Sequence, residues 1–298
     1  MTWDIPAVPI GDWADAGIGW LRANAAGFFD GLSAVLAVLT DVLTDLLTAI
    51  PEPLAILLFA LIAWLVRSWK MALATAITFL LIWSMGQWVT SMQTLALVLI
   101  ATVIAVVHAV PLGIWAARND TVSAVLKPVL DFMQTMPAFV YLIPAILFFG
   151  IGAAPGLIAT LIFALPPGVR MTELGIRGVD HETVEAGHSF GATGGQILRG
   201  IQLPLAVPTI MAGVNQVIML ALSMAVIAGM VGADGLGKEV VSAISTLNTA
   251  KGVEAGLSVV FLAIYLDRLT GSLARPGDHP TSLLALLRER RQAAATAS

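Results

Sequence analysis

The sequence predicts an all-α, polytopic membrane protein, a helical bundle of about seven spans. Composition is the first reason: 58% of residues are hydrophobic, 11% are charged and the mean hydropathy is +0.91, whereas soluble domains carry roughly 25% charged residues. The second is the recurrence of apolar stretches of span length, at about 53–66, 71–89, 92–117, 125–150, 156–173, 205–231 and 253–271. The third is the segregation of basic residues. With the N-terminus outside, inner loops and span ends hold Arg67, Lys70, Arg118, Lys127, Arg170, Arg177, Arg199, Arg268, Arg275, Arg288, Arg290 and Arg291. Outer regions hold only Arg22, Lys238 and Lys251, a 12 to 3 division of the 15 basic residues. The positive-inside rule then puts the C-terminus in the cytoplasm. The chain has no cysteine, which excludes disulfides and thiolate chemistry.

Residues 1–52 form an acidic extension, with Asp4, Asp12, Asp15, Asp30, Asp41, Asp45 and Glu52 against Arg22. Leu32, Val35, Leu36, Leu39, Val42, Leu43, Leu46, Leu47 and Ile50 recur at helical spacing, and Thr40, Asp41, Thr44, Asp45 and Thr48 fall on the opposite side. Trp3, Trp13 and Trp20 suit a membrane interface. The expectation is an amphipathic helix on the outer surface, serving either as a docking element or as plain packing on the bundle. The first twenty residues contain no Lys or Arg, so no cleavable signal is expected.

Residues 53–271 are read as the membrane domain. Pro137 and Pro144 interrupt the fourth span, and Pro166 and Pro167 the fifth, as a permeation route through bending helices requires. Asn215, Gln216 and Ser223 are the strong hydrogen-bonding side chains inside the sixth. Met136, Pro137, Asn215 and Ser223 are therefore the candidate path residues. Asp131 is expected to neutralise Lys127 at i,i+4 on the cytoplasmic edge. His108, inside an apolar span, invites a functional reading, but a neutral hydrogen-bonded ring is the simpler one. The four histidines share no metal-ligand spacing.

Between the fifth and sixth spans, residues 180–204 form a polar, glycine-punctuated loop. Asp180 can cap a short helix, with Glu182 and Glu185 in its first turns, and Gly191 can supply a left-handed end. Thr193 and Gln196 have capping-box spacing for a second short helix over 196–201, and Pro204 suits the first turn of the next span. Val184, Phe190, Ile197 and Ile201 offer apolar contact surface. Further on, Gly232-Ala-Asp-Gly-Leu-Gly-Lys238 imitates a phosphate-binding loop. Glu239 stands where Ser or Thr would hold magnesium, and a membrane span precedes it instead of a strand, so it is read as an external turn. Residues 272–298 form a basic cytoplasmic tail.

The spacing Glu185-Ala186-Gly187, Gly191, Ile201, Leu203-Pro204 resembles the EAA loop of bacterial ABC-importer permeases, with Gly187 where the family has Ala. Pro128 to Tyr141, Ile162 to Pro167, Pro208 to Met224 and Asp267 to Thr270 are similar to the glycine betaine and proline betaine (osmoprotectant) branch of that family, and the likeness spans roughly 53–271. The resemblance implies the type I ABC-importer permease fold. It also implies a second copy of the chain, a dimer of ABC ATPases that receives the loop 180–204, and an external substrate-binding protein. ATP and magnesium would be bound by the ATPase; none is expected in this chain, and no nucleic acid partner either. The function it implies is passage of glycine betaine, proline betaine or a related quaternary ammonium compound such as choline across the bacterial inner membrane, without catalysis by this chain. A different small polar solute is the alternative. An ion-coupled secondary transporter would require paired intramembrane acids and inverted repeats, and neither is evident. A membrane adaptor would not need proline-broken spans.

Overall fold

The computed structural model describes residues 8–274 and 276–286. Trp3, Asp4, Arg275 and the tail residues Arg288, Arg290 and Arg291 lie outside them. Twelve α-helices are delimited among the described residues, and a further helical turn begins at Leu283. In chain order they are α1 (Ile10–Thr48), α2 (Glu52–Val66), α3 (Trp69–Ser84), α4 (Trp88–Arg118), α5 (Asp120–Thr135), α6 (Leu142–Phe149), α7 (Ala153–Arg177), α8 (His181–Ser189), α9 (Gly194–Ile197), α10 (Leu203–Ala228), α11 (Leu236–Ser245) and α12 (Thr249–Ala274). We call the end of the bundle bearing α8 and α9 the loop end, and the opposite one the far end.

Each of the seven apolar stretches is helical. Five helices, α1 among them, are long and apolar enough to cross a membrane, and α5 with α6 makes a sixth if the bent pair counts as one span. The shorter α2 and α3, at 15 and 16 residues, form an antiparallel pair. The third-helix stretch stops at Ser84, short of the expected 89, because Gly86 turns the chain at φ +70° and Trp88 already begins α4. The fourth stretch is broken more sharply than the sequence suggested: α5 and α6 meet at 103°. Pro144 falls in the first turn of α6, where its missing N–H is harmless, and does not interrupt it.

α7 is the central helix, sandwiched between α4 and α10. Small residues make this possible, as expected where lipid-like side chains give no hydrophobic preference between helices. A Cβ on Gly168 would stand 2.8 Å from that of Ala109, and one on Gly213 would stand 2.6 Å from that of Met171. Pro166 and Pro167 do not interrupt α7, contrary to expectation. Both are buried, so the packing of α4 and α10 holds the helix through them. A second core joins α2, α3, α4 and α12 through Phe59, Phe79, Trp88 and Tyr265, whose ring centroids lie 4.9 to 6.2 Å apart.

The extension does form a helix, α1, with a break at Ala25 (φ −124°, ψ 18°). Its second half passes over the far ends of several helices. Phe29 stacks on Phe148 at 4.5 Å, and Thr40, Asp41 and Thr44 line a cavity of about 190 Å³ with Gln93, Gly152 and Gly232. Trp13 and Trp20 are exposed.

The imitation phosphate loop at the far end is a packing device. A Cβ on Gly229 would lie 2.2 Å from the Gly237 carbonyl carbon, so the chain leaving α10 and the start of α11 touch backbone to backbone. Leu236 N–H donates to Thr94 Oγ1 at 2.8 Å. Lys238 Nζ donates to Asp234 at 2.7 Å, and that hydrogen bond holds the ammonium above the usual lysine range.

Candidate coupling loop and path residues

The loop between α7 and α10 folds as its capping residues dictate. Asp180 Oδ1 accepts the Glu182 N–H at 3.1 Å and starts α8. At the other end Gly191 has φ +80°, Ala192 N–H reaches Gly187 O at 3.1 Å and Gly191 N–H reaches His188 O at 2.9 Å. That is a Schellman ending, in which the left-handed residue lets two late carbonyls find donors. Thr193 and Gln196 form the reciprocal box, with Thr193 N–H donating to Gln196 Oε1 at 2.8 Å and Gln196 N–H to Thr193 Oγ1 at 3.4 Å.

The second short helix departs from expectation. It begins at Gly194, directly after its cap, and does not stop before the span. A π-helical turn, Leu198–Gln202, carries it without a gap into α10, where Pro204 sits in the first turn. Of the apolar residues expected on the contact surface, Ile197 is buried and Ile201 half-buried, both facing α8. Gly187 is where they meet: a Cβ there would lie 2.7 Å from Ile201 Cδ1. Phe190, 93% exposed, is the apolar side chain that projects. Glu185, Ala186 and Pro204 are exposed, and Leu203 half-buried. His181 Nδ1 lies 3.4 Å from Glu185 Oε1 one turn on. The cleft beside α9, about 710 Å³, is lined by Arg118, Thr193, Gln196 and Arg199.

The candidate path residues are not all brought together. Met136 and Pro137 occupy the α5–α6 break, half-buried and exposed respectively. On α10, Gln216, Met219 and Ser223 share one open stripe. Asn215 is turned the other way: its amide donates to Asp267 Oδ1 at 2.9 Å, and Thr270 Oγ1 donates to its carbonyl oxygen at 2.6 Å. It fastens α10 to α12. His108 is hydrogen-bonded to its own helix, with Nδ1 2.7 Å from Ile104 O. The four packed aromatic rings are core, since each is buried. Among the described residues no group of three or more His, Cys, Asp and Glu could hold a metal.

Sequence reasoning missed a polar seam between α5 and α7. Asp131 pairs with Arg170, not with Lys127, because α7 offers a guanidinium where the Lys127 chain turns toward Glu173 at 4.0 Å. Glu173 is nearly buried and accepts from Ser123 at 2.6 Å and Arg177 at 3.0 Å. Arg177 also meets Asp120 at 2.7 Å and donates to Ala116 O at 2.8 Å. The signal was available: Ser123, Lys127 and Asp131 recur at i, i+4, i+8, and Arg170, Glu173 and Arg177 at i, i+3, i+7.

The family model described as binding-protein-dependent transport system inner membrane component matches residues 109–275, more than half of the chain. The chain belongs to that family. This permease is therefore a transport component of an ABC importer, a multi-pass membrane subunit that works with an ATPase and a substrate-binding protein and is not itself an enzyme. It is 50% identical over 269 residues to the glycine betaine transport system permease protein OpuAB of Bacillus subtilis, covering 90% of this permease and 95% of that protein. Against the glycine betaine/proline betaine transport system permease protein ProW of Escherichia coli, the identity is 46%, covering 90% and 76%. The solved MetNI methionine ABC transporter in inward-facing conformations aligns with TM-score 0.57 at 21% identity, over 61% of this permease and 91% of that chain. That likeness gives the fold, the type I importer permease.

Proposed function

We propose that this permease carries glycine betaine, proline betaine or a related quaternary ammonium compound such as choline. The observation behind the substrate class is the 50% identity, nearly end to end, to a permease named for glycine betaine. In this reading two copies of the chain enclose the path, with Met136, Pro137 and Ser223 beside it and Asn215 setting how α10 stands against α12. The loop 180–204 is the knob on which the ATPase dimer pushes. Glu185, Ala186 and exposed Phe190 are its docking side. Gly187, Gly191, Ile201, Leu203 and Pro204 give it shape and carry it into α10. The loop end is cytoplasmic and the far end external, with residues 1–52 on the outer surface and ATP and magnesium on the ATPase.

Support comes from the shape of the loop. Both of its capped turns are internally satisfied, so it can move as a rigid body, and an almost fully exposed phenylalanine has no use in water. The test is ATP hydrolysis by the permease reconstituted in liposomes with its ATPase and binding protein, without substrate and with glycine betaine, proline betaine, choline or a neutral amino acid. Stimulation by a quaternary ammonium compound is expected. Stimulation by the neutral amino acid alone would discard the substrate class, and failure to assemble with any ATPase would overturn the coupling role.

A further inference from the structure

A helix that meets proline loses one hydrogen bond, because the ring nitrogen has no hydrogen to give to the carbonyl four residues back. At Pro137 that carbonyl belongs to Met133. Met136, held extended by the proline after it (φ −71°, ψ 133°), and Pro137 itself (φ −56°, ψ 138°) turn the chain out of α5. The Met133 oxygen is not abandoned. Tyr141 Oη, four residues beyond the proline, donates to it at 2.6 Å. Membrane helices tolerate proline where another group re-satisfies the freed backbone, and here one phenol does so across the break it spans. Its ring is buried among Leu142, Ala145, Ala159, Met224 and Val231, so phenylalanine would fill the same space and lose only the hydroxyl.

The segment after the break is bounded at both ends. Gly150 and Gly152 follow α6 with φ +75° and +138°, and Gly152 N–H donates to Val231 O at 3.0 Å. Between the two bends, residues 138–149 pack on α7, with Tyr141 and Leu142 reaching Met224 of α10 and Phe148 and Phe149 meeting Phe29 of α1. The open face shows Phe139, Ile143 and Leu147, which are 52%, 62% and 37% exposed.

We propose that Tyr141 is a positioning residue for transport: its hydroxyl fixes the angle of the broken span and so places the wall 138–149 against the path. The inference rests on the proposed transport of glycine betaine. The experiment compares Tyr141→Phe, Pro137→Ala and the double variant, each reconstituted with ATPase and binding protein and supplied with glycine betaine. Tyr141→Phe is expected to lower the maximal uptake rate about tenfold, the size expected when one part-buried backbone acceptor loses its partner. Half-saturation by substrate and ATP hydrolysis without substrate should stay within twofold of wild type. Alanine at 137 supplies an N–H that satisfies Met133 once Met136 rewinds from its extended conformation into helix, so adding Tyr141→Phe to Pro137→Ala should change uptake by less than twofold. Wild-type uptake by Tyr141→Phe, or effects that simply multiply in the double variant, would overturn the proposal. If Tyr141→Phe does not accumulate, the double variant is expected to, and its failure as well would count against the latch. Absence of glycine betaine-stimulated hydrolysis in the wild type would instead refute the substrate reading, leaving the two failures distinct.

Discussion

Replacing Gly187 by alanine and by leucine probes the seam on which the loop's rigidity depends. Alanine gains up to about 1 kcal/mol in helix propensity. Its Cβ arrives 2.7 Å from Ile201 Cδ1, the tip of a flexible side chain that can move aside for about 0.5–1.5 kcal/mol. The two terms nearly cancel, so alanine should couple like wild type. Leucine adds three more carbons against Ile201 and Ile197, whose Cγ1 is already 3.4 Å from the Cβ position. Overpacking of this kind costs about 1–3 kcal/mol. After the propensity gain, as much as about 2 kcal/mol acts to pry α8 from the π-turn, a roughly thirty-fold shift in the docked population. The assay is substrate-stimulated over basal ATP hydrolysis in liposomes. Alanine should keep the wild-type ratio within twofold, and leucine should lose most of it at equal expression. Full stimulation in the leucine variant would refute the idea that this seam transmits the push.

Gly191→Trp should abolish uptake at normal expression, through about 1–2 kcal/mol of left-handed strain and an indole thrust from the docking side. Gly191→Asn, which tolerates that backbone, should retain uptake; uptake by the Trp variant would exclude the loop from coupling. Glu173→Ala should destabilise the protein in detergent melts by about 1–3 kcal/mol, because the buried Ser123 hydroxyl and Arg177 lose a shared acceptor. Glu173→Gln, which still accepts from Ser123, should recover part of this, and equal loss in both would show that the hydrogen bond is not what matters.

What the sequence made legible was local. Asp180, Gly191, Thr193 and Gln196 act through the backbone within a few residues of themselves, so their geometry follows from spacing alone. The apolar stretches likewise become helices wherever they fold. Tertiary choices were less visible. Asn215 and Ser223 look alike in the sequence, eight residues apart on one helix, yet Asp267 and Thr270 claim the first and leave the second on the open stripe. Asp131 had a legitimate partner at i,i+4 and took Arg170 from another helix. Pro137 and Pro166 share a residue type but not an outcome. One stands at an open margin, where the chain can swing away; the other is clasped by two neighbours that forbid it.

The π-turn at Leu198–Gln202 has a consequence for angular register. An α-helix advances about 100° per residue, and a π-turn holds one residue beyond what an α-helical stretch of that rise would. The direction in which Phe190 and Glu185 point is thereby offset by about 100° from where an unbroken helix would set it relative to Gln216, Met219 and Ser223. Nothing flexible lies between Thr193 and the end of α10 to correct that angle. Rewinding Leu198–Gln202 as α-helix with every residue kept would swing the knob around the axis by about a quarter turn, like a key recut with its bit on the wrong side. Deleting one residue from 198–202 would instead remove the extra residue together with the π-turn and leave the knob facing nearly where it does.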